Sequence, residues 1–151
     1  MSFELLVESP VGLLTLKSDG ENLTELRFGD HREGTASCPV LEQTASQLDE
    51  FLRGERREFS VPLKASGTAF QRSVWTALCR IPYGTTATYA DIAKAVGNEK
   101  ACRAVGNANN RNPLPILVPC HRVIGSNGKT VGYAGGIAIK EYLLELEKTH
   151  K

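Results

Sequence analysis

Residues 88–109 read TYADIAKAVGNEKACRAVGNAN, and this stretch decides the fold because it predicts two short helices joined by a tight turn. Thr88 is a suitable cap for a helix from Tyr89 to Val96, and Gly97 stands where a left-handed residue commonly ends a helix. A second helix is predicted from Glu99 to about Asn109. The pair has the outline of a helix-turn-helix, a unit that often lays its second helix against DNA.

The predicted second helix, which Asn98 would cap, combines basic and unusually small residues. Lys100 and Arg103 supply positive charge. The small residues are Ala101, Ala104, Gly106 and Ala108. Small side chains allow a backbone to approach a groove closely, so the pattern favours DNA binding. Close packing of the two helices against each other is the alternative interpretation.

Working outward, the first third of the chain alternates apolar runs with turn signals. Residues 3–8, 13–17 and 23–28 predict a three-stranded antiparallel meander, and a helix should follow from Pro39 to just before Gly54. We therefore predict an α/β (α+β) fold with two lobes. Residues 1–64 form a small, structural N-terminal lobe of antiparallel sheet plus helix. Residues 65–151 form a mainly helical C-terminal lobe with the helix-turn-helix.

Three more features of the C-terminal lobe can be predicted. Thr68 and Gln71 have the spacing of a capping box, so a helix should begin there. Residues 116–118 predict a short buried strand, and residues 137–148 predict an amphipathic helix. On that helix Glu147 shares one stripe with Lys140, Leu143 and Leu144, because positions three, four and seven apart coincide. We therefore expect Glu147 to point inward or to lie at the edge of the lobe.

The two lobes carry opposite charge. Residues 1–66 hold seven Lys/Arg against twelve Asp/Glu, a net charge of −5, and residues 67–151 hold eleven against five, a net charge of +6. The overall net charge of +1 hides this asymmetry. A basic half is a recognised hint of nucleic-acid contact.

Length and composition exclude several classes of protein. A chain of 151 residues that is 41% hydrophobic can bury one sizeable core, or form two small lobes that share one, so a folded rather than a disordered chain is expected. No apolar stretch approaches the roughly 20 residues that a membrane span needs. The first residues also lack the basic start and apolar core of a signal peptide. We expect a cytoplasmic protein with no membrane partner.

The best candidate nucleophile is Cys120. No Cys-x-x-Cys pair is present, which argues against a zinc ribbon or a thioredoxin motif. Cys79 and Cys102 fall in predicted helices, where apolar burial favours an inert thiol. The nearest candidate base to Cys38 in the sequence is His31, which is too distant to be an obvious partner. Cys120 lies between a predicted buried strand and a polar turn.

Attack by Cys120 requires a base. A free cysteine with a pKa of about 8.5 supplies only a few per cent of thiolate at neutral pH. His121 is adjacent, and adjacent side chains seldom face each other, so proton transfer through a bridging water is expected. Glu147 is the candidate to hold the far imidazole nitrogen. A purely structural Cys-His pair stays open as an alternative.

The segment Pro119-Cys120-His121-Arg122-Val123 resembles the active-site motif of the O6-alkylguanine-DNA alkyltransferases, the methylated-DNA–protein-cysteine methyltransferases. The similarity extends from about Thr68 to Glu147, and the N-terminal lobe matches only in outline. Other matching segments are Ile81-Pro82-Tyr83-Gly84 before the helix-turn-helix, Arg103-Ala104-Val105-Gly106 in the recognition helix, Asn112-Pro113 at a hinge, and Tyr133-Ala134-Gly135-Gly136 in the substrate loop.

The resemblance implies the catalytic roles. Cys120 would attack the alkyl carbon in an SN2 displacement, while His121 activates the thiol through water and Glu147 orients His121. Guanine leaves poorly as an anion, so a proton donor to the base is needed. Tyr89 matches the residue that donates a proton to N3 of guanine in the family. Asn112 matches the side chain that ties the active-site turn to the preceding loop.

The resemblance also implies how DNA is read. The reacting atom lies inside a stacked duplex, so the nucleotide must be flipped out. Arg103 matches the residue that fills the vacated stack from the minor groove, although a plain phosphate contact would also suit it. The other positions expected at the DNA are Lys100, Ala104 and Gly106.

A substrate pocket follows from the same resemblance. The backbone carbonyls of Cys120 and Val123 would read the exocyclic amine of guanine, and the amide of Ala134 would donate to O6. Relatives often carry Ser at the position of Ala134, so a hydroxyl is missing here. The alkyl pocket would be lined by Pro115, Ala134 and Gly135, and Tyr133 would border the site.

The implied reaction consumes the protein, because a thioether has no ordinary cellular route back to a thiol. We expect a monomer that acts once on double-stranded DNA containing alkylated guanine, with O4-alkylthymine open as a second substrate. No cofactor is expected. No metal is expected either, since the N-terminal lobe offers only His31 and Cys38 where some relatives bind zinc.

Three other functions compete with this interpretation. A non-catalytic binder of alkylated DNA would not need Cys120. A cysteine hydrolase would need only a cysteine and a histidine, but no oxyanion arrangement or spacing of that class is recognisable. A helix-turn-helix regulator would need neither Cys120 nor Glu147.

Overall fold

The computed structural model describes residues 2–34, 36–128 and 132–151, and the chain divides into two units. The N-terminal unit is Met1–Ser66 and the C-terminal unit is Gly67–Lys151. The mixed α/β (α+β) class predicted from the sequence is confirmed. The separate functional roles of the two lobes stay a prediction.

The N-terminal unit contains the predicted meander. Strands β1 (Phe3–Val7), β2 (Leu14–Ser18) and β3 (Leu23–Phe28) pair antiparallel in the order β1-β2-β3. Helix α1 (Pro39–Leu52) begins at Pro39, whose missing N–H costs nothing in the first turn. Its buried face contacts all three strands and consists of Leu41, Thr44, Gln47, Leu48, Phe51 and Leu52.

Within its described residues, the C-terminal unit contains four α-helices. They are α2 (Ala69–Leu78), α3 (Tyr89–Ala95), α4 (Cys102–Asn110) and α5 (Ile137–Thr149). Both α2 and α3 begin with a complete capping box, Thr68 with Gln71 and Thr88 with Asp91. Helix α4 packs on both α2 and α3, as the helix-turn-helix outline requires.

Two short strands connect the helix-turn-helix to the cysteine segment. Strand β4 (Ala87–Thr88) pairs in parallel with β5 (Val123–Ile124), with Ala87 opposite Val123 and Thr88 opposite Ile124. Strand β4 leads directly into α3, and β5 directly follows a 3₁₀ turn formed by Cys120–Arg122. The start of α3 is therefore held beside the segment that carries Cys120.

The predicted start of the second helix was wrong. Helix α4 begins at Cys102, three residues after the predicted Glu99, and Asn98 does not cap it. Instead the carbonyl of Asn98 accepts from the N–H of Ala101, and its side-chain oxygen accepts from the N–H of Lys100. These local bonds stabilise a turn in place of a first helical turn. Lys100 consequently lies in the turn before α4.

The predicted strand at residues 116–118 was also wrong, although its burial was predicted correctly. Ile116 adopts a left-handed φ of 77°, and Val118 donates its N–H to the carbonyl of Leu114 at 2.8 Å, so this segment turns. Pro113 and Pro115 have no N–H for a strand ladder. Only an isolated bridge between Pro115 and Val118 remains.

Among the described residues, no helix is both long enough and apolar enough to cross a membrane.

Replacing Thr68 by Ala should destabilise the C-terminal unit by about 1 kcal/mol, because Thr68 accepts from the N–H of Gln71 and this bond caps α2. Trp75, the single tryptophan, lies on α2 and donates to the carbonyl of Ala108 on α4. The urea midpoint measured by its fluorescence should therefore fall. The matched control, Thr76→Ala, changes an exposed hydroxyl within α2 and should leave the midpoint equal or slightly higher. Equal losses in both variants would contradict the capping role.

Candidate active site

Cys120 is a buried thiol. Its side chain lies at the start of the 3₁₀ turn and is 4% exposed, whereas Cys79 and Cys102 are exposed. The expectation that burial would mark the inert cysteines was therefore wrong. Burial raises the pKa of Cys120 to about 11, against a hydrogen bond from Asn112 and the charge of Lys140, which lower it. At neutral pH the resting group is the thiol.

His121 and Glu147 form the pair that the sequence predicted. Nε2 of His121 lies 2.6 Å from Oε2 of Glu147, and both side chains are almost completely buried. Glu147 comes from α5 and His121 from the 3₁₀ turn, so the contact joins two segments 26 residues apart. The inward position of Glu147, predicted from its stripe, is confirmed.

Arg122 is a partner of Glu147 to which the sequence analysis gave no role. Its Nε donates to Oε1 at 2.8 Å and its Nη2 donates to Oε2 at 2.9 Å, which makes the pair bidentate. The third guanidinium nitrogen, Nη1, donates to the carbonyl of Ile81 at 2.7 Å. The N–H of Gly84 also donates to Oε1 of Glu147 at 3.0 Å. Among the described residues, the Glu147 carboxylate thus accepts four hydrogen bonds, one from His121, two from Arg122 and one from the backbone of Gly84.

These bonds keep Glu147 ionised. Burial raises its pKa, but hydrogen bonds from His121 and Arg122 outweigh burial and lower the pKa to about 2 from an ordinary value of 4.5. An ionised carboxylate can only accept hydrogen bonds, so the proton between it and His121 must sit on Nε2. This leaves Nδ1 with its lone pair as the basic nitrogen of the neutral ring.

Nδ1 of His121 is a buried acceptor, and no side chain or backbone group among the described ranges forms a hydrogen bond with it. Buried polar atoms normally have a partner, so an orphan of this kind calls for an explanation. Burial, together with the charges of Arg122 and Lys140, lowers the pKa of His121 against the effect of Glu147, which raises it, and the ring is therefore neutral at pH 7. A neutral ring with a free Nδ1 can accept a proton.

Asn112 holds the segment before Cys120 in shape. Its Nδ2 donates to the carbonyl of Val118 at 2.9 Å, and its Oδ1 accepts from the N–H of Leu114 at 2.9 Å. These bonds satisfy backbone groups on both sides of the left-handed Ile116. The side chain also contributes a hydrogen bond that lowers the pKa of Cys120.

Two tyrosines lie within electrostatic range of the thiol. Tyr89 is the first residue of α3, and burial and the charge of Cys120 raise its pKa. Tyr133 has a buried hydroxyl, and burial followed by the charges of Cys120 and Glu147 raises its pKa well above the ordinary value. Both phenols therefore keep their protons at neutral pH and can act as donors.

The residues predicted to contact DNA lie on or beside α4. Arg103 and Ala104 are exposed on the first turn of the helix, and Lys100 is exposed in the turn before it. Gly106 is half-buried, and a Cβ at this position would stand 3.8 Å from the ring of Tyr89. The helix therefore presents a surface of basic and small residues close to Tyr89. The charge of Cys120 raises the pKa of this same tyrosine.

The predicted pocket residues occupy two segments. Val123 and Pro115 are buried on either side of the Cys120 segment. Ala134 is exposed and Gly135 is half-buried, in the turn that precedes α5. Part of the loop before them, residues 129–131, falls outside the described residues.

Within the described residues, no group of three or more His, Cys, Asp or Glu side chains could hold a metal ion. The absence of a metal stays a prediction.

Replacing Glu147 by Gln should destabilise the protein strongly, because it leaves the buried Arg122 without its countercharge. Breaking a buried ion pair from one side costs roughly 3–5 kcal/mol. The free energy of unfolding can be measured in urea by the fluorescence of Trp75. The matched control is Glu145→Gln, an exposed position on α5, and should change stability by less than about 0.5 kcal/mol.

The pH dependence of stability in acid provides a second test of the Glu147 carboxylate. Since folding lowers the pKa of Glu147 to about 2, its contribution to stability is complete above pH 4.5 and is lost as the pH falls toward 2. The stability of Glu147→Gln should therefore depend less on pH than that of the wild type in this range. Identical slopes would show that Glu147 does not carry the buried charge.

The comparisons with known proteins point to one family. The model described as "6-O-methylguanine DNA methyltransferase, DNA binding domain" matches residues 69–149, and the "ribonuclease-like domain" of the same name matches residues 3–65. The methylated-DNA–protein-cysteine methyltransferase of Methanosarcina acetivorans is 49% identical, over 94% of this chain and 96% of the relative. The constitutive enzyme of that name from Bacillus subtilis is 46% identical, over 98% of this chain and 96% of its own.

Solved structures are similar over the same length. The Mycobacterium tuberculosis O6-methylguanine methyltransferase has a TM-score of 0.91 and 44% identity, covering 100% of this chain and 95% of that one. The M. tuberculosis OGT in complex with DNA has a TM-score of 0.90 and 47% identity, covering 96% and 92%. With both domain models matched and relatives this similar along almost the whole length, the chain belongs to the 6-O-methylguanine DNA methyltransferase family.

Proposed function

We propose that this protein is a methylated-DNA–protein-cysteine methyltransferase that repairs O6-alkylguanine in double-stranded DNA. It transfers the alkyl group to Cys120 and is consumed in doing so. The observation that carries the proposal is the buried His121–Glu147 pair, whose free Nδ1 belongs to the residue next to the cysteine. The relatives' names and the DNA complex of the M. tuberculosis protein support the same reaction.

The first step is removal of the thiol proton. Cys120 passes its proton to Nδ1 of His121 through a bridging water, because neighbouring side chains do not face each other directly. Glu147 holds the opposite nitrogen and stabilises the imidazolium that forms. The low pKa of Glu147 keeps the carboxylate from taking the proton itself.

The second step is the displacement. The Cys120 thiolate attacks the alkyl carbon, a carbon–sulfur bond forms, and the bond from that carbon to O6 of guanine breaks. The electron pair goes to the base, and Tyr89 protonates N3 so that guanine leaves as a neutral molecule. The resulting phenolate is reprotonated from the imidazolium of His121, which restores the charges, while the thioether remains.

The substrate must leave the base stack to reach a buried thiol. Arg103, exposed at the start of α4, occupies the space that the flipped nucleotide vacates. Lys100, Ala104 and Gly106 allow close approach to the backbone of the duplex. The net charge of +6 over residues 67–151 supports binding to a polyanion.

The pocket for the flipped base lies at the Cys120 segment and the loop before α5. The carbonyls of Cys120 and Val123 accept from the exocyclic amine, and the N–H of Ala134 donates to O6. Pro115, Tyr133 and Gly135 line the space for the alkyl group. Asn112 acts as a support, through its bonds on both sides of the turn.

The remaining parts of the proposal concern the whole protein. The C-terminal unit carries DNA binding and alkyl transfer, and the N-terminal unit has a structural role. The protein acts in the cytoplasm, as a monomer and without a cofactor.

The reaction predicts that the protein gains one methyl group, on Cys120, when it is incubated with a duplex containing O6-methylguanine. Intact-protein mass spectrometry should show the gain saturating at one methyl per molecule under excess duplex, and peptide mapping should place it on Cys120. The exposed Cys79 and Cys102 should stay unmodified.

Cys120→Ser, tested with the same duplex, should show no gain. Binding of the wild type without any gain in mass would favour a non-catalytic binder. Release of the methyl group with repeated turnover would contradict the single-use mechanism.

Arg103→Ala should slow repair of duplex DNA by at least about tenfold, since the vacated stack is no longer filled, while the rate with free O6-benzylguanine changes little. Arg111→Ala is the matched control, because it removes a positive charge at the other end of α4. Each variant should lower the salt dependence of DNA binding by about one unit of slope if it contacts a phosphate. Equal loss of duplex repair in both variants would reduce Arg103 to a phosphate contact.

A further inference from the structure

Tyr83 is a half-buried aromatic residue to which the proposed reaction gives no role. It lies in the turn between α2 and β4, within the segment Ile81-Pro82-Tyr83-Gly84. Tyr89 and Tyr133, by contrast, lie within electrostatic range of the thiol and act on the substrate in the proposed reaction. The ring of Tyr83 contacts a different group of the site, the guanidinium of Arg122.

The contact between Tyr83 and Arg122 has the geometry of a cation–π interaction. Cζ of Arg122 lies over the face of the Tyr83 ring, 5.6 Å from the ring centre. A guanidinium is weakly hydrated for a cation and stacks readily on aromatic faces. Only 8% of the Arg122 side chain is exposed, so little water competes with the ring for this cation.

Two backbone groups that flank Tyr83 bind the two members of the buried ion pair. The carbonyl of Ile81 accepts from Nη1 of Arg122 at 2.7 Å. The N–H of Gly84 donates to Oε1 of Glu147 at 3.0 Å. Four consecutive residues therefore supply an acceptor and an aromatic face to the cation, and a donor to the anion.

The turn that carries Tyr83 is fixed by its own hydrogen bonds. The N–H of Thr85 donates to the carbonyl of Pro82 at 3.1 Å, and the hydroxyl of Thr85 donates to the same carbonyl at 2.8 Å. Gly84 adopts a left-handed φ of 77°, as the third residue of a type II turn does. The second residue of this turn is Tyr83, so the backbone that directs its ring is held in place.

The ion pair that Tyr83 contacts is also the one that orients the proposed base. Arg122 donates to both oxygens of Glu147, and Oε2 of Glu147 lies 2.6 Å from Nε2 of His121. Hydrogen bonds lie in the plane of a guanidinium, so they fix its distance to the carboxylate more firmly than its tilt. A ring against the cation limits that tilt.

We propose that Tyr83 is a positioning residue for alkyl transfer, whose ring holds the guanidinium of Arg122 in the orientation that keeps Glu147 aligned on His121. Tyr83 acts through Arg122 and not on the substrate. The effect on the reaction rate rests on the proposed function, whereas the effect on the ion pair does not.

Stability in acid tests the effect on the ion pair without DNA or substrate. Folding lowers the pKa of Glu147 to about 2, so its contribution is complete above pH 4.5 and is lost toward pH 2. In Tyr83→Leu, which removes the aromatic face, Arg122 should bind Glu147 less firmly and the folded pKa should rise toward 4.5. The urea midpoint, followed by the fluorescence of Trp75, should then fall less between pH 4.5 and pH 2 than in the wild type.

Two control variants should retain the wild-type dependence on pH. Tyr83→Phe keeps the ring over the guanidinium, and Tyr142→Leu removes an exposed tyrosine ring from α5. A curve for Tyr83→Leu that lies below the wild type by the same amount at every pH would overturn the inference, because Tyr83 would then be a packing residue only.

Pentafluorophenylalanine incorporated at position 83 covers the case in which Tyr83→Leu fails to fold. It nearly keeps the shape of phenylalanine but removes the negative face of the ring, on which attraction of a cation depends. The dependence of stability on pH should be weaker with pentafluorophenylalanine than in Tyr83→Phe. Identical curves for these two proteins would overturn the inference.

The rate of reaction with free O6-benzylguanine tests the effect on catalysis. In Tyr83→Leu the rate constant at saturating O6-benzylguanine should fall by about threefold, in line with the loss of one cation–π contact. The half-saturating concentration should stay the same, because Tyr83 does not bind the base. A higher half-saturating concentration with an unchanged rate constant would overturn the inference. A wild-type protein that does not react at all would instead contradict the proposed function, and the acid curves would still decide the role of Tyr83.

Discussion

The buried carboxylate of Glu147 is the interaction on which the rest of the C-terminal unit depends. It binds His121, Arg122 and the backbone of Gly84, so α5, the 3₁₀ turn and the turn after α2 are fixed to one group. Its charge is balanced by a guanidinium with two-point geometry, which suits burial better than a single contact. Because the carboxylate stays ionised, the His121 ring has one tautomer and one free basic nitrogen. Stability and chemistry therefore depend on the same side chain.

This arrangement explains why a thiol with a raised pKa can still serve as a nucleophile. Burial holds Cys120 in its neutral form, whereas the exposed thiols of Cys79 and Cys102 are the ones that reagents in water reach more readily. In the proposed reaction the proton leaves only when a base accepts it, and the imidazolium forms beside a carboxylate that is already ionised. Arg122 lowers the pKa of His121 and so acts against this transfer, but it is also what keeps Glu147 charged. Arg122 therefore has two opposing effects, because it lowers the pKa of the base His121 and also the pKa of Glu147, which orients that base.

Much of the fold could be predicted from local signals. Both capping boxes and most helix and strand bounds follow from residues close together in sequence. The stripe of residues on α5 also predicted the buried side of the helix, on which Glu147 lies. The errors arose where contacts distant in sequence, or hydrogen bonds that compete with a helix, decide the outcome. Asn98 bonds locally and delays α4, and Asn112 shapes the segment around Ile116 from outside it. The partners of Arg122 lie 25 and 41 residues away, so no local pattern revealed them.

The burial of Cys120 can be related to the irreversible thioether that the proposed reaction forms on it. A protein consumed by one alkyl transfer loses its function to any electrophile that reaches the thiol first, since a thioether is not reversed. An exposed cysteine of low pKa would react with soluble alkylating agents as readily as with DNA. A buried thiol with a pKa of about 11 is instead mostly protonated at neutral pH, and only a group delivered into the site meets its thiolate. Burial thus keeps the resting thiol protonated, and in the proposed reaction His121 removes the proton where the flipped nucleotide arrives.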